Sequence, residues 1–251
     1  MHLQKRNKAF VELGKILRDR KEPLLEDAVL KASTYNGWFT IENINLAIAS
    51  LGEMIKEKKL EKWASLYAGL SNETPANFKI GVIMAGNIPL VGFHDFLCVL
   101  LSGNSFVGKL SSDDEILLPV IAKLLIDLEP EFKNKISFIS SQAFNKSKEA
   151  EINAIIATGS NNSARYFEYY FKKYPHVIRK NRNAIAILTG NERQGDLNEL
   201  GKDIFQFFGL GCRNVSKIFI PENYKLDNFF AGIVDHGDVI NHNKYYNNHQ
   251  Y

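Results

Sequence analysis

Two rhythms divide the chain. Over residues 5–70, apolar side chains recur at helical spacing: Phe10, Leu13, Ile16 and Leu17 fall on one face, and Pro23 suits the first turn of a second helix. Tyr35-Asn36-Gly37 marks a turn. From 44 to 70, many Lys and Glu residues are set against Leu, Ile, Trp63 and Leu66, as on a surface helix. After Pro75 the period shortens. Residues 79–84 form a compact apolar run ending in Ala85-Gly86-Asn87, which predicts a buried strand and a turn. Residues 93–101 predict a helix, 105–110 a strand and 116–128 a helix. Two strands over 136–139 and 154–157 come next, then a helix over 162–172 and a strand over 184–188. A helix over 197–208 and a strand over 217–220 follow, and the tail NHNKYYNNHQY is polar and aromatic with no clear period.

Strands that alternate with helices predict an α/β fold, with a mostly parallel sheet carrying helices on both faces. Such sheets bind ligands at the carboxyl ends of their strands. With 251 residues the chain is long enough for one or two domains.

Charge narrows the function classes. Thirty-one basic against 28 acidic residues give a net charge of +3, too balanced to argue for nucleic acid or a membrane surface as partner. The N-terminus is basic but has no apolar signal core. The most apolar stretch, FLCVLLSGNSFVG, is broken by Gly and Asn and is too short to span a bilayer. Only two cysteines occur, in unlike contexts, so no disulfide framework is expected and a cytoplasmic location is. The histidines show no metal spacing: His236 and His242, with Asp235 and Asp238 nearby, are too few for a closed zinc site.

Candidate chemistry centres on Cys212, in FQFFGLGCRNVSKIFIP. A lone cysteine is more often a small buried hydrophobe, and Cys98 within FLCVLL fits that description. Cys212 differs because Gly209 and Gly211 flank it, and such glycines let backbone N–H groups approach a substrate carbonyl. It reads either as a nucleophile or as a small buried hydrophobe, and the flanking glycines favour the first. Gly86-Asn87-Ile88-Pro89 follows a strand and reads either as a plain turn or as an oxyanion-binding amide at Asn87. Thr158-Gly159-Ser160 closes a strand and opens a helix, so Ser160 is a helix cap or part of a dinucleotide phosphate site. It is not a G-x-G-x-x-G fingerprint. Lys109 ends a strand before Ser111-Ser112-Asp113 and is either solvated or a cofactor contact. Arg179, Lys180 and Arg182 form a basic cluster, read as a solvated loop or a seat for the 2′-phosphate of NADP.

In order, Asn87-Ile88-Pro89, Gly103-Asn104 through Lys109, Thr158-Gly159-Ser160 and Gly209 through Cys212 resemble the patterns of the aldehyde dehydrogenase superfamily over residues 79–221. Within it, the chain looks most like the acyl-CoA reductases related to the bacterial bioluminescence fatty-acid reductase. The resemblance implies a Rossmann-like, dinucleotide-binding domain with its N-terminal helices over 1–188. It places the first part of a catalytic domain, incomplete, over 189–251. Cys212 would be the nucleophile, and Asn87 with the Cys212 N–H would hold the oxyanion. Lys109 would contact the cofactor's adenosine ribose, and Gly159 and Ser160 would cap its pyrophosphate. The implied cofactor is NADPH, with NADH as the alternative, and the implied substrate is an acyl-CoA or another acyl thioester. The resemblance also implies a homo-oligomer. The superfamily's water-activating Glu has no counterpart in Ile178-Arg179-Lys180-Asn181-Arg182, which suits a thioester-forming enzyme. The chain stops 39 residues after Cys212, so a truncated catalytic domain is expected. Another semialdehyde dehydrogenase of the superfamily, or a non-catalytic nucleotide- or acyl-binding module, are the competing readings.

Overall fold

Helical spacing in the N-terminal region produces four helices, α1 (Leu3–Asp19), α2 (Pro23–Tyr35), α3 (Ile41–Met54) and α4 (Glu57–Ala64). These come from a computed structural model that describes residues 1–70, 77–140 and 151–250; the change of rhythm expected at Pro75 lies outside the described residues. Pro23 starts α2, and the Thr40 hydroxyl caps α3 by accepting the Asn43 N–H at 3.2 Å. The single surface helix expected over 44–70 is two helices. α3 stops at Ile55, whose side chain is fully buried in the core, and α4 restarts after Lys56.

The chain divides into two compact units, Met1–Lys180 and Asn181–Tyr251. In the first, β1 (Lys79–Ile83), β2 (Ser105–Lys109), β3 (Ile136–Phe138), β4 (Ala154–Thr158) and β5 (His176–Arg179) form a parallel sheet in the order β3-β2-β1-β4-β5. The helices α5 (Phe93–Leu101), α6 (Leu117–Leu128) and α7 (Asn161–Phe171) provide crossovers. Alternation along the strands splits the core. Val82, Met84 and Phe106 pack with α5, α6 and the N-terminal helices, whereas Ile83, Ile155 and Ala157 pack with Phe171 of α7. The chain runs outward from β1 to β3, then returns to place β4 on β1's other side. The β1/β4 boundary is therefore the topological switch point.

The second unit holds two parallel strands, β6 (Ala184–Ile187) and β7 (Val215–Phe219), joined through α8 (Gln194–Phe205). Two further helices follow, α9 (Leu226–Ile233) and α10 (Asn243–Gln250). His236 fits over Gly201 and lies 2.9 Å from the Asn198 carbonyl, tying the segment after α9 to α8.

An aromatic cluster anchors the first unit. Phe96 is fully buried and meets Phe10 of α1, Phe106 of β2 and Phe93, with ring centroids 6.3, 5.1 and 6.0 Å away. It joins helix layer to sheet. Phe96→Ala should lower stability by about 3–5 kcal/mol and Phe96→Leu by markedly less, read from urea unfolding of the whole chain. Equal losses for the two variants would mean that ring contacts, not buried volume, set the cost.

Candidate active site

Asn87 stands in the turn that leaves β1. The preceding Gly86 is buried, and a Cβ there would lie 2.6 Å from the Ser111 side chain, so this turn presses against the loop after β2. Past Pro89, Leu90 has a φ of 60°, in the left-handed region that a leucine adopts at a cost. Its N–H donates to Oδ2 of Asp114 at 2.8 Å. Asp114 is 8% exposed; burial pushes its carboxyl up to about 6, against the opposing pull of the Leu90 and Leu117 N–H groups. A buried carboxyl thus holds the strained turn in place, while Asn87 itself is exposed.

Lys109 ends β2 level with Ile83 of β1, which is level with Ala157 of β4. Level residues of a parallel sheet share a face, so Lys109 lies on the face that α7 covers. Gly159 and Ser160 follow β4. The Ser160 hydroxyl caps α7 by accepting the Ser163 N–H at 3.1 Å. A Cβ on Gly159 would come within 2.9 Å of Ser163 and 3.0 Å of Phe167, so glycine lets the helix start this close to the strand. The Gly159 N–H is taken up by the Arg179 carbonyl at 3.2 Å, leaving the first turn of α7 as the positive end that faces outward. Asn87, Lys109, Gly159 and Ser160 therefore collect along one carboxyl edge, on the strands that flank the switch point.

Arg179 ends β5 rather than lying in a solvated loop. Its Nη1 donates to both oxygens of Asp95 at 2.8 and 2.6 Å, and Asp95 is buried in the first turn of α5. Burial alone would raise the Asp95 carboxyl, but His94 and Arg179 outweigh it and hold it below the ordinary range. Lys180 pairs with Glu168 at 2.8 Å. Two cations of the basic cluster thus already have carboxylate partners.

Cys212 belongs to the second unit, where the path from α8 into β7 is strained. Phe207, Phe208 and Gly209 have φ values of 52°, 58° and 71°, three successive left-handed residues. Asn214 supplies the restraint. Its Nδ2 donates to the carbonyls of Asp203 and Gln206 at 2.8 and 3.0 Å, and its Oδ1 accepts the Gly211 N–H at 2.8 Å. Phe208 stacks on His242 with centroids 4.2 Å apart. The Cys212 side chain is exposed on this stapled loop. Cys98, expected in the core, is only half-buried on α5. Among the described residues no group of three or more His, Cys, Asp or Glu could hold a metal ion, and no helix is long and apolar enough to cross a membrane.

Residues 7–229 match the family model of the acyl-CoA reductase LuxC. The chain belongs to that family. No curated protein matches it. In fold this LuxC-family chain is similar to aldehyde dehydrogenase 21 from Physcomitrella patens, in complex with the reaction product succinate, with a TM-score of 0.73 and 15% identity; the match covers 94% of this chain and 52% of that one. It is similar to a NAD-dependent benzaldehyde dehydrogenase from Corynebacterium glutamicum, with a TM-score of 0.71 and 18% identity over 94% of this chain and 54% of that one. It is also similar to glyceraldehyde-3-phosphate dehydrogenase GapN from Methanocaldococcus jannaschii, complexed with NADP, at 0.68 and 17% over 95% and 55%. The LuxC-family chain spans about half the length of these structures.

Sequence reading passed over Asp114 and Asn214. Asp114 sits in Ser111-Ser112-Asp113-Asp114-Glu115, a run that reads as solvated. Asn214 offered one signal: an Asn in a turn commonly closes it with side-chain hydrogen bonds.

Asp114→Asn keeps an acceptor for Leu90 and removes the ionisation. Below the ordinary value of 3.8, Asp114 is protonated in folded and unfolded chains alike. Above about 6 the folded chain carries a buried charge, so wild type should lose up to about 3 kcal/mol relative to the variant as pH rises through that window. Urea unfolding of both at several pH values checks this; a pH-independent difference would contradict it.

Proposed function

We propose that this chain acts in reducing a fatty acyl-CoA to an aldehyde through a Cys212 acyl-enzyme. The observation that carries the reading is an exposed cysteine on a stapled loop, in a member of the acyl-CoA reductase family. The Cys212 sulfur attacks the thioester carbonyl, the CoA thiol leaves, and the acyl group stays on the enzyme as a new thioester. The Asn87 amide and the Cys212 N–H donate to the carbonyl oxygen as it gains negative charge. Each such donor contributes about 3 kcal/mol in a preorganised site.

The carboxyl edge of the five-stranded sheet fits a dinucleotide, because α7 turns its positive end outward there and Gly159 presents no side chain. Lys109, Gly159 and Ser160 would hold NADPH, with NADH as the alternative. When bound, the nicotinamide supplies the hydride that reduces the acyl group. The NADP complex of the Methanocaldococcus enzyme supports a nicotinamide cofactor. With Arg179 and Lys180 ion-paired, the preference for NADPH rests on the resemblance and on Arg182.

The acyl-enzyme must also outlast water. The stretch 178–182 holds no carboxylate, and the one that Arg179 contacts, Asp95, is committed to its ion pair. A general base for hydrolysis is therefore not supplied from β5.

Incubation with a long-chain acyl-CoA and no cofactor should place an acyl group on the Cys212 peptide, mapped by mass spectrometry. Aldehyde release should then require NADPH and be lost in Cys212→Ala. Asn87→Ala should lower turnover by about two to three orders of magnitude. A chain that leaves Cys212 unmodified would be a nucleotide- or acyl-binding module instead.

A further inference from the structure

The first unit carries a second thiol with a partner. On α5, Cys98 Sγ lies 3.7 Å from Nδ1 and 3.9 Å from Nε2 of His94, one helical turn earlier. The His94 Nδ1 is 4.0 Å from an Asp95 oxygen, and Asp95 is fixed by Arg179. Polar groups therefore follow one another from β5 to the thiol: guanidinium, carboxylate, imidazole, thiol. Asp95 first, and then the Cys98 sulfur, hold the His94 imidazolium well above its ordinary range. The imidazole thus stands within reach of the thiol, where an acid–base partner of a nucleophilic sulfur must stand.

The same imidazole lines a cavity of about 700 Å³ between α3, α4 and α5. Its walls are mostly apolar, with Leu46, Met54, Leu60, Trp63 and Leu97 among them. A cavity of this size and lining suits an alkyl chain. We infer that Cys98, with His94, is a second acyl-accepting thiol, loaded from a long-chain acyl thioester whose chain lies in this cavity.

The step is a thioester exchange. The Cys98 sulfur forms a bond to the carbonyl carbon, the carbon–sulfur bond to CoA breaks, and the proton lost from the Cys98 thiol passes by way of His94 to the departing thiolate. Nothing is oxidised or reduced. The inference rests on the acyl-CoA reading for its substrate class but needs neither Cys212 nor a cofactor.

The test uses the full chain carrying Cys212→Ala, incubated with hexadecanoyl-CoA or acetyl-CoA, digested and mapped. The expected result is a hydroxylamine-labile hexadecanoyl group on Cys98. Labelling should fall about a hundred-fold in Cys212→Ala/His94→Gln, the usual worth of a positioned acid–base group. Acetyl-CoA should label at least about ten-fold more slowly, because it buries no chain. Wild type acylated at Cys212 while Cys98 stays bare in the variant would overturn the inference and leave the reading standing. No acyl group on either cysteine would overturn both. Equal labelling by the two thioesters, or labelling indifferent to His94→Gln, would mark Cys98 as an ordinary exposed thiol and overturn the inference.

Discussion

A parallel strand can be followed by another in the same sheet only if the chain crosses back over one face. Each crossover leaves its strand at the carboxyl edge, so that edge gathers loops that are far apart in sequence. Here the order β3-β2-β1-β4-β5 brings the loops after β1, β2 and β4 side by side, at the point where the winding reverses. Asn87, Lys109, Gly159 and Ser160 owe their proximity to this topology.

What the topology gathers, local contacts hold. Close approach governs the edge at two glycines, Gly86 against Ser111 and Gly159 against Ser163 and Phe167. A buried carboxyl at Asp114 restrains the left-handed Leu90, and Arg179 reaches from β5 to the first turn of α5. The second unit uses the same device by other means, with Asn214 spanning the strained turn before Cys212. In both units a candidate catalytic residue sits within a few residues of left-handed backbone that a single side chain keeps in place.

The sequence made the sheet legible where strands are buried. The apolar runs of β1, β2 and β4 fall where periodicity puts them, and Pro23 begins its helix. It concealed β5, because an edge strand needs only one paired side: His176 and Val177 are exposed, and HVIR has no apolar block to announce it. The break between α3 and α4 was hidden because Ile55 continues the apolar pattern while ending the helix. Cys98 read as core because its neighbours are apolar, yet the i, i+4 relation to His94 puts it on the more open side of α5. The motif residues were visible through the glycines and turns around them. Asp114 and Asn214 were not, since their roles depend on partners that only the folded chain supplies.

Amide exchange with and without saturating NADPH would probe the carboxyl edge without relying on turnover. Slower exchange over 85–90, 109–114 and 158–163 together would place the cofactor across the β1/β4 boundary. Unchanged exchange in all three segments, with protection confined to other parts of the chain, would contradict that placement.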